Sequence, residues 1–257
     1  MEMENNNLPS GPELPAEPKS GKPAAIFKVF SEPSGVFGTL TGKLDWLIPL
    51  IVIAVISCAL WPLTAPITTR DMQKKTVANL EKYRDRLPAD QYDKIVSDVK
   101  KRFEEGASFK WYTPLIFLLW PFISMLIISV IGYISGNFVF GGRSSFWIVM
   151  NAVAFAALIG FLGDIVRGLL MYWKDTMFVY TGLGLLKPAE DGSFLHYLLR
   201  QVDIFGIWRI IVTCIGLGVV YKMKPSKFGF VLFPIWIVFI LLVAILNSTI
   251  MMGNLIY

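Results

Sequence analysis

Residues 228–257 read FGFVLFPIWIVFILLVAILNSTIMMGNLIY and contain no Lys, Arg, Asp or Glu. Three further stretches, residues 46–69, 111–142 and 144–163, are also free of charge. A fifth, residues 204–221, is interrupted only by Arg209. About 20 apolar residues in a helix cross the roughly 30 Å of hydrocarbon in a bilayer. Only helices and closed barrels satisfy their backbone groups there, and none of these runs alternates polar with apolar residues as barrel strands do. The sequence predicts an all-α, polytopic membrane protein with five transmembrane helices.

Composition narrows the function classes. With 54% hydrophobic and 17% charged residues among 257, little chain is left for a soluble domain once five spans are removed. The net charge of +5 is the excess expected from basic residues at membrane edges, so nucleic acid is not read as a partner. Cys58 and Cys214 both lie within apolar runs and act there as small apolar side chains. The single histidine, His196, has no Cys or His neighbour at ligand spacing, so neither a metal nor a cofactor is expected.

Residues 1–24, rich in Pro, Gly, Asn and Glu, read as a disordered polar tail. Residues 25–45 carry Ile26, Phe27, Val29, Phe30, Val36, Phe37 and Leu40 among polar residues, which suits an interfacial segment. Residues 46–257 form the membrane domain. Its first span is expected over about 46–66, with Pro62 and Pro66 closing it. The second, about 113–140, contains Pro121 and the pair Gly132 and Gly136 at GxxxG spacing, which lets another helix approach closely. In the third, about 146–171, Ala152, Ala156, Gly160, Asp164 and Gly168 fall on one i+4 ridge, so small packing residues share a face with a carboxylate. The fourth covers about 204–221 and the fifth begins near Phe228.

Between spans one and two lies a polar insert, 67–113, with eleven basic and eight acidic residues. Within it Tyr92, Ile95, Val96, Val99 and Phe103 make an apolar stripe at helical spacing that stops at Gly106. An extramembrane helical hairpin is expected. Residues 193–201 read as a short amphipathic helix leading into Asp203, an N-cap for span four.

Charge inside a span is the strongest functional pointer in a membrane protein. Three such residues occur: Asp164 and Arg167, three apart in span three and able to pair, and Arg209, about 9 Å into span four by helical rise. Each also has a structural explanation, since long side chains near a helix end reach the headgroups. Gly163-Asp164 is part of the Gly-x-Gly-Asp pattern of intramembrane aspartyl proteases, but position 161 is Phe and no span supplies a second aspartate. Rhomboid-type, HExxH and phosphate-loop motifs are missing too. No catalytic residue is assigned. A small transporter or channel-like protein for lipid or a small solute stays open as the alternative, because Gly and Pro break spans two and five.

The stretch from Leu198 to Trp208, LLRQVDIFGIW, is followed by an apolar run with Gly216 and Gly218, a Lys-rich turn at 222–227, and a last span containing Trp236. This pattern resembles the bacterial branch of the Yip family (Ypt/Rab-interacting membrane proteins), in which an Asp-x-Phe-x-x-Trp motif, here Asp203, Phe205 and Trp208, opens the fourth span. The resemblance extends to Pro33 and Phe37, Gly141-Gly142 with Phe146, and the five-span count. It implies a non-enzymatic integral membrane protein, acting as a scaffold or an accessory subunit, with the lipid bilayer and another membrane protein or itself as partners. A bacterial inner-membrane location with a cytoplasmic N-terminus also follows from it. The Asp-Leu-aromatic-Gly-Pro motif of trafficking members is absent, with SEPSGVF at 31–37 in its place, so a Rab-binding role does not carry over. Counting Lys and Arg near span ends instead favours 67–113 as the cytoplasmic side.

Overall fold

The computed structural model describes residues 22–81, 84–86, 88–106, 112–186 and 193–253. The chain runs through α1 (Lys22–Lys28), α2 (Pro33–Thr39), α3 (Leu47–Glu81), α4 (Ala89–Gly106), α5 (Thr113–Ile134), α6 (Phe146–Lys174), α7 (Phe194–Gln201), α8 (Ile204–Tyr221) and α9 (Pro225–Gly253). Five of these are long and apolar enough to cross a membrane: α3, α5 with the π-turn Ser135–Val139 that extends it, α6, α8 and α9. Among the described residues no strand occurs, and the one β-type contact is an isolated bridge between Gly182 and Asp203. The protein is thus all-α and polytopic.

Helix α6 is the axis of the bundle and packs against α3, α5 and α8. Ser145 caps its start by accepting from the Ile148 N–H at 3.4 Å. Asp175 ends it in the left-handed region, at φ 49°. Lipid tails are as apolar as leucine, so spans associate through close van der Waals packing, which small residues permit. Ala152, Ala154 and Ala156 are fully buried along α6. Ala152 meets α8 where a Cβ on Gly216 would lie 3.1 Å from its own. Gly132 of α5 leaves room for Leu217 of α8, whose Cδ2 is 3.1 Å from the missing Cβ position. One turn on, Gly136 faces the ring of Tyr221, with which a Cβ would collide. Phe228 of α9 stacks on that ring at 5.5 Å.

Asn151 lies wholly buried in α6. Its Oδ1 accepts from the Trp46 N–H at 2.9 Å, and its Nδ2 donates to the Gly42 carbonyl at 2.7 Å. The amide therefore satisfies two backbone groups just ahead of α3, where neither has a helical partner.

Three expectations are corrected or refined. Pro62 and Pro66 do not close span one: α3 continues through both to Glu81. Its 35 residues, at about 1.5 Å each, extend roughly 50 Å, far more than the hydrocarbon requires. The polar continuation is held by tertiary contacts. Asp71 is buried and its Oδ2 accepts from Thr176 Oγ1 at 3.0 Å and the Met177 N–H at 2.9 Å. Arg70 bridges Asp71 Oδ1 at 3.0 Å and Asp175 Oδ2 at 2.7 Å. The first limb of the expected hairpin is therefore the end of span one itself, and α4 is its second limb. On α4, Tyr92, Val96, Val99 and Phe103 are half-buried while Ile95 stays exposed.

Segment 25–45, expected to lie at the interface, holds the short helices α1 and α2 and packs into the bundle. Their Ala25, Val29, Val36, Phe37 and Leu40 are buried in the same core as α6 and α8. Phe37 packs at Gly216 and Phe30 sits edge-on to Trp208 at 6.1 Å. Of the expected tail 1–24, residues 1–21 lie outside the described residues, and 22–24 already belong to α1. Within the insert, 82–83, 87 and 107–111 also lie outside them.

Candidate functional site

The last three turns of α6 and the first two of α8 bring four charged side chains together: Asp164, Arg167, Asp203 and Arg209. Asp203 starts α8 with extended backbone, φ −127° and ψ 161°, and its Oδ1 accepts from the Gly206 N–H at 2.8 Å. This is N-capping, which satisfies an orphan donor and sets a negative charge against the positive helix end. The residue is also held from the loop side. Gly182 bridges to Asp203, and the Leu183 N–H donates to the Val202 carbonyl at 2.9 Å. A Cβ at position 182 would collide with that carbonyl, so the bridge requires glycine.

Arg167 stands between two carboxylates. Its Nη1 is 3.7 Å from Asp164 Oδ1 and its Nη2 is 3.9 Å from Asp203 Oδ2. Both distances exceed hydrogen-bond length, so these are ion pairs without shared protons. The Asp164 side chain is 64% exposed, against 19% for Asp203. Sequence spacing pairs Asp164 with Arg167; the bridge from Arg167 to Asp203 is tertiary and has no counterpart in spacing.

Arg209 lies two turns into α8 over Gly160 of α6, where a Cβ would come 2.9 Å from its Cδ. Gly160 thus makes a bed for an arginine stem, not a seat for another helix backbone. Among the described residues the guanidinium makes no hydrogen bond and no close ion pair, though it lies in the field of Asp164 and Asp203. Such a group within a span is costly, by about 2.5–3.5 kcal/mol at the centre on insertion scales, and less near a helix end.

The remaining motif residues have packing roles. Phe205 covers Gly163 of α6, its Cβ 2.7 Å from where a glycine Cβ would stand. Trp208 meets Phe30 ahead of α2. Gly168 faces α3, where a Cβ would lie 3.5 Å from Thr64 Cγ2.

Two cavities adjoin the charged cluster. One, of about 230 Å³, lies between α3, α5, α6 and α8; Trp120 and Asp164 on its rim are exposed, and Ile53, Met125 and Val153 line its apolar depth. Pro121 and Ser124 of α5 also line it. The second, of about 320 Å³, is bounded by Tyr180, Thr181, Tyr197, Arg200 and Asn247. Arg167 and Asp203 belong to the walls of both, so their ion pair stands at the partition. Among the described residues no group of three or more His, Cys, Asp or Glu is placed to hold a metal ion. His196 is buried edge-on to Tyr180 at 6.0 Å.

Sequence reasoning missed Asn151, the Arg70–Asp71 clamp, and the parts of α5 that complete the groove. Asn151 carries a readable signal, as an amide in the middle of an uncharged run. Asp71 does not, because it is one of many charges in a polar segment.

Comparison with known proteins agrees with this architecture. The family model described as "Yip1 domain" matches residues 27–246. "Membrane protein YknW" of Bacillus subtilis (strain 168) is 28% identical over 111 residues, covering 42% of this chain and 48% of that protein. The match therefore spans about half of that relative. No solved structure matches. The family model covers α2 to most of α9 and includes the Asp203–Trp208 stretch and every span, and on that ground the chain belongs to the Yip1 family.

Proposed function

We propose that this chain is a non-enzymatic scaffold or accessory subunit, which holds a second membrane protein, or another copy of itself, through the arm made by the end of α3 and by α4. The observation that carries the reading is the clamp at the root of the arm. A buried aspartate that accepts two hydrogen bonds and pairs with an arginine fixes the direction in which α3 leaves the bundle. A rigid projection beyond the span adds nothing to membrane anchoring, and it suits presentation of a surface. The reading takes the membrane to be the bacterial inner membrane with the N-terminus in the cytoplasm, which puts the arm on the opposite side.

Photo-crosslinking residues placed at Asp98 and Lys101, both exposed on α4, test the role in native membranes. One discrete adduct from the arm is expected, weakened by Asp71→Ala. Adducts no more discrete than those from a lipid-facing control at Phe239 would sink the reading.

The alternative, a small transporter for lipid or a small solute, draws support from the groove at Arg209. Movement of labelled lipid or solute across proteoliposomes that contain only this protein would favour it.

A further inference from the structure

We propose that the groove beside Arg209 binds a zwitterionic phospholipid, with the phosphate on Arg209 and the ammonium at Asp164. Four observations converge on it.

The first is an unengaged donor set. Arg209 presents five N–H groups in a planar fork suited to phosphate oxygens. Among the described residues none of them meets a hydrogen-bond acceptor. On the facing helix, Ser124 lines the same groove, and its hydroxyl makes no hydrogen bond among the described residues. Its neighbour Ser129, by contrast, donates back to the Met125 carbonyl at 2.6 Å. A guanidinium and a hydroxyl, both unspent within the span, face one small space.

The second is charge balance. The groove is lined by Arg167 and Arg209 and by Asp164 and Asp203, so its side chains sum to zero. Arg167 is shared between two carboxylates and Asp203 is committed to its cap. That leaves Arg209 as the cation without a close partner, beside an exposed carboxylate, Asp164, that Arg167 holds only at 3.7 Å. A headgroup carrying both a phosphate and an ammonium complements the pair, whereas a purely anionic one leaves Asp164 opposed.

The third is the order of chemistry with depth. The charges of α6 and α8 cluster around the first two turns of α8. Further along the groove come Met125, Ile128 and Val153, which suit an acyl chain.

The fourth is size. A cavity of about 230 Å³ is smaller than the roughly 300–1,000 Å³ of pockets that enclose a whole drug-sized ligand. It admits a headgroup and the start of one chain, and its exposed rim lets the remainder stay in the bilayer.

The inference does not rest on the accessory role: the groove's charged groups belong to α6 and α8 and α3 lends it only Ile53, whereas the arm is the far end of α3 with α4. The test is native mass spectrometry of the delipidated, full-length protein, titrated separately with dioleoyl-phosphatidylethanolamine, dioleoyl-phosphatidylglycerol, dioleoylglycerol and inorganic phosphate. One phosphatidylethanolamine should be retained, more strongly than phosphatidylglycerol, with dioleoylglycerol and free phosphate not retained. Arg209→Gln should weaken retention by about tenfold or more, the scale of a lost charged hydrogen bond. Asp164→Asn should abolish the preference for phosphatidylethanolamine over phosphatidylglycerol. Should Arg209→Gln not give folded protein, Ala157→Leu narrows the apolar wall without touching a charge, and retention should fall likewise. Equal retention by wild type and by whichever of Arg209→Gln or Ala157→Leu folds would overturn the proposal. So would dioleoylglycerol retained as well as phospholipid. Binding of inorganic phosphate as tight as that of the lipid would assign the site to a free anion instead.

Discussion

Arg167 Nη2 lies 3.9 Å from Asp203 Oδ2, across the gap between the end of α6 and the start of α8. The same aspartate caps α8 through its other oxygen, Oδ1, at 2.8 Å from the Gly206 N–H. One side chain therefore begins a helix and ties that helix to the bundle's axis. The family motif has a mechanical content that its spacing alone does not convey.

The two duties of Asp203 can be separated by substitution. Asp203→Ala removes both and should cost about 0.5–2 kcal/mol through the lost cap. Asp203→Asn and Asp203→Ser keep the cap and lose only the charge facing Arg167. Partly exposed ion pairs contribute roughly 0–1 kcal/mol, so both should melt close to wild type in detergent. Normal melting by both, together with loss of a co-purifying partner, would show that the carboxylate serves recognition as well as capping.

Asn151→Leu should destabilise the protein by about 1–3 kcal/mol, the penalty for stranding buried polar groups. It deprives the Trp46 N–H and the Gly42 carbonyl of their partners. Thermal melting of the purified variant gives the cost. Amide exchange at Trp46 locates it and should speed up; an unchanged melt and unchanged exchange would mean that water fills the role.

Gly136→Ala places a methyl group in the ring of Tyr221, which is itself stacked on Phe228 at 5.5 Å. Overpacking of this kind costs about 1–3 kcal/mol. The double variant with Tyr221→Leu should recover part of the loss. An additive double variant would show that the α5–α8 approach is not what Gly136 protects.

Orientation is testable with single cysteines at Ser97 and Ser226, both exposed, after Cys58 and Cys214 are replaced. With the N-terminus inside, an impermeant maleimide added to intact cells labels position 97 and spares position 226. The opposite pattern would support the basic-residue count and reverse the orientation.

What could be read from the chain follows from how each kind of information is stored. Five uncharged runs announce five spans because hydrocarbon tolerates almost no other composition, and this holds whatever the spans pack against. Capping by Asp203 is equally local: a carboxylate next to a span start meets free N–H groups three residues away. The ends of α3 illustrate the limit. Pro62 and Pro66 are helix breakers by local rule, yet α3 passes through both, because Asp71 anchors the far side to Thr176 and Met177, more than a hundred positions away. The 25–45 segment is a similar case. Its apolar residues were visible, but only the packing of Phe37 on Gly216 assigns them to the core of the bundle.

The sequence by itself determined the class of molecule, the number of spans and the start of α8, since each depends on the solvent or on residues within one helical turn. Only the tertiary structure decided that Arg167 pairs across to Asp203, that Gly160 carries the stem of Arg209, and that these charges border a groove with an apolar floor. In a bilayer every span is apolar nearly all round, so hydrophobic patterning does not say which face meets which neighbour. Partners are chosen there by shape and by a few polar contacts, and both exist only once the helices are assembled.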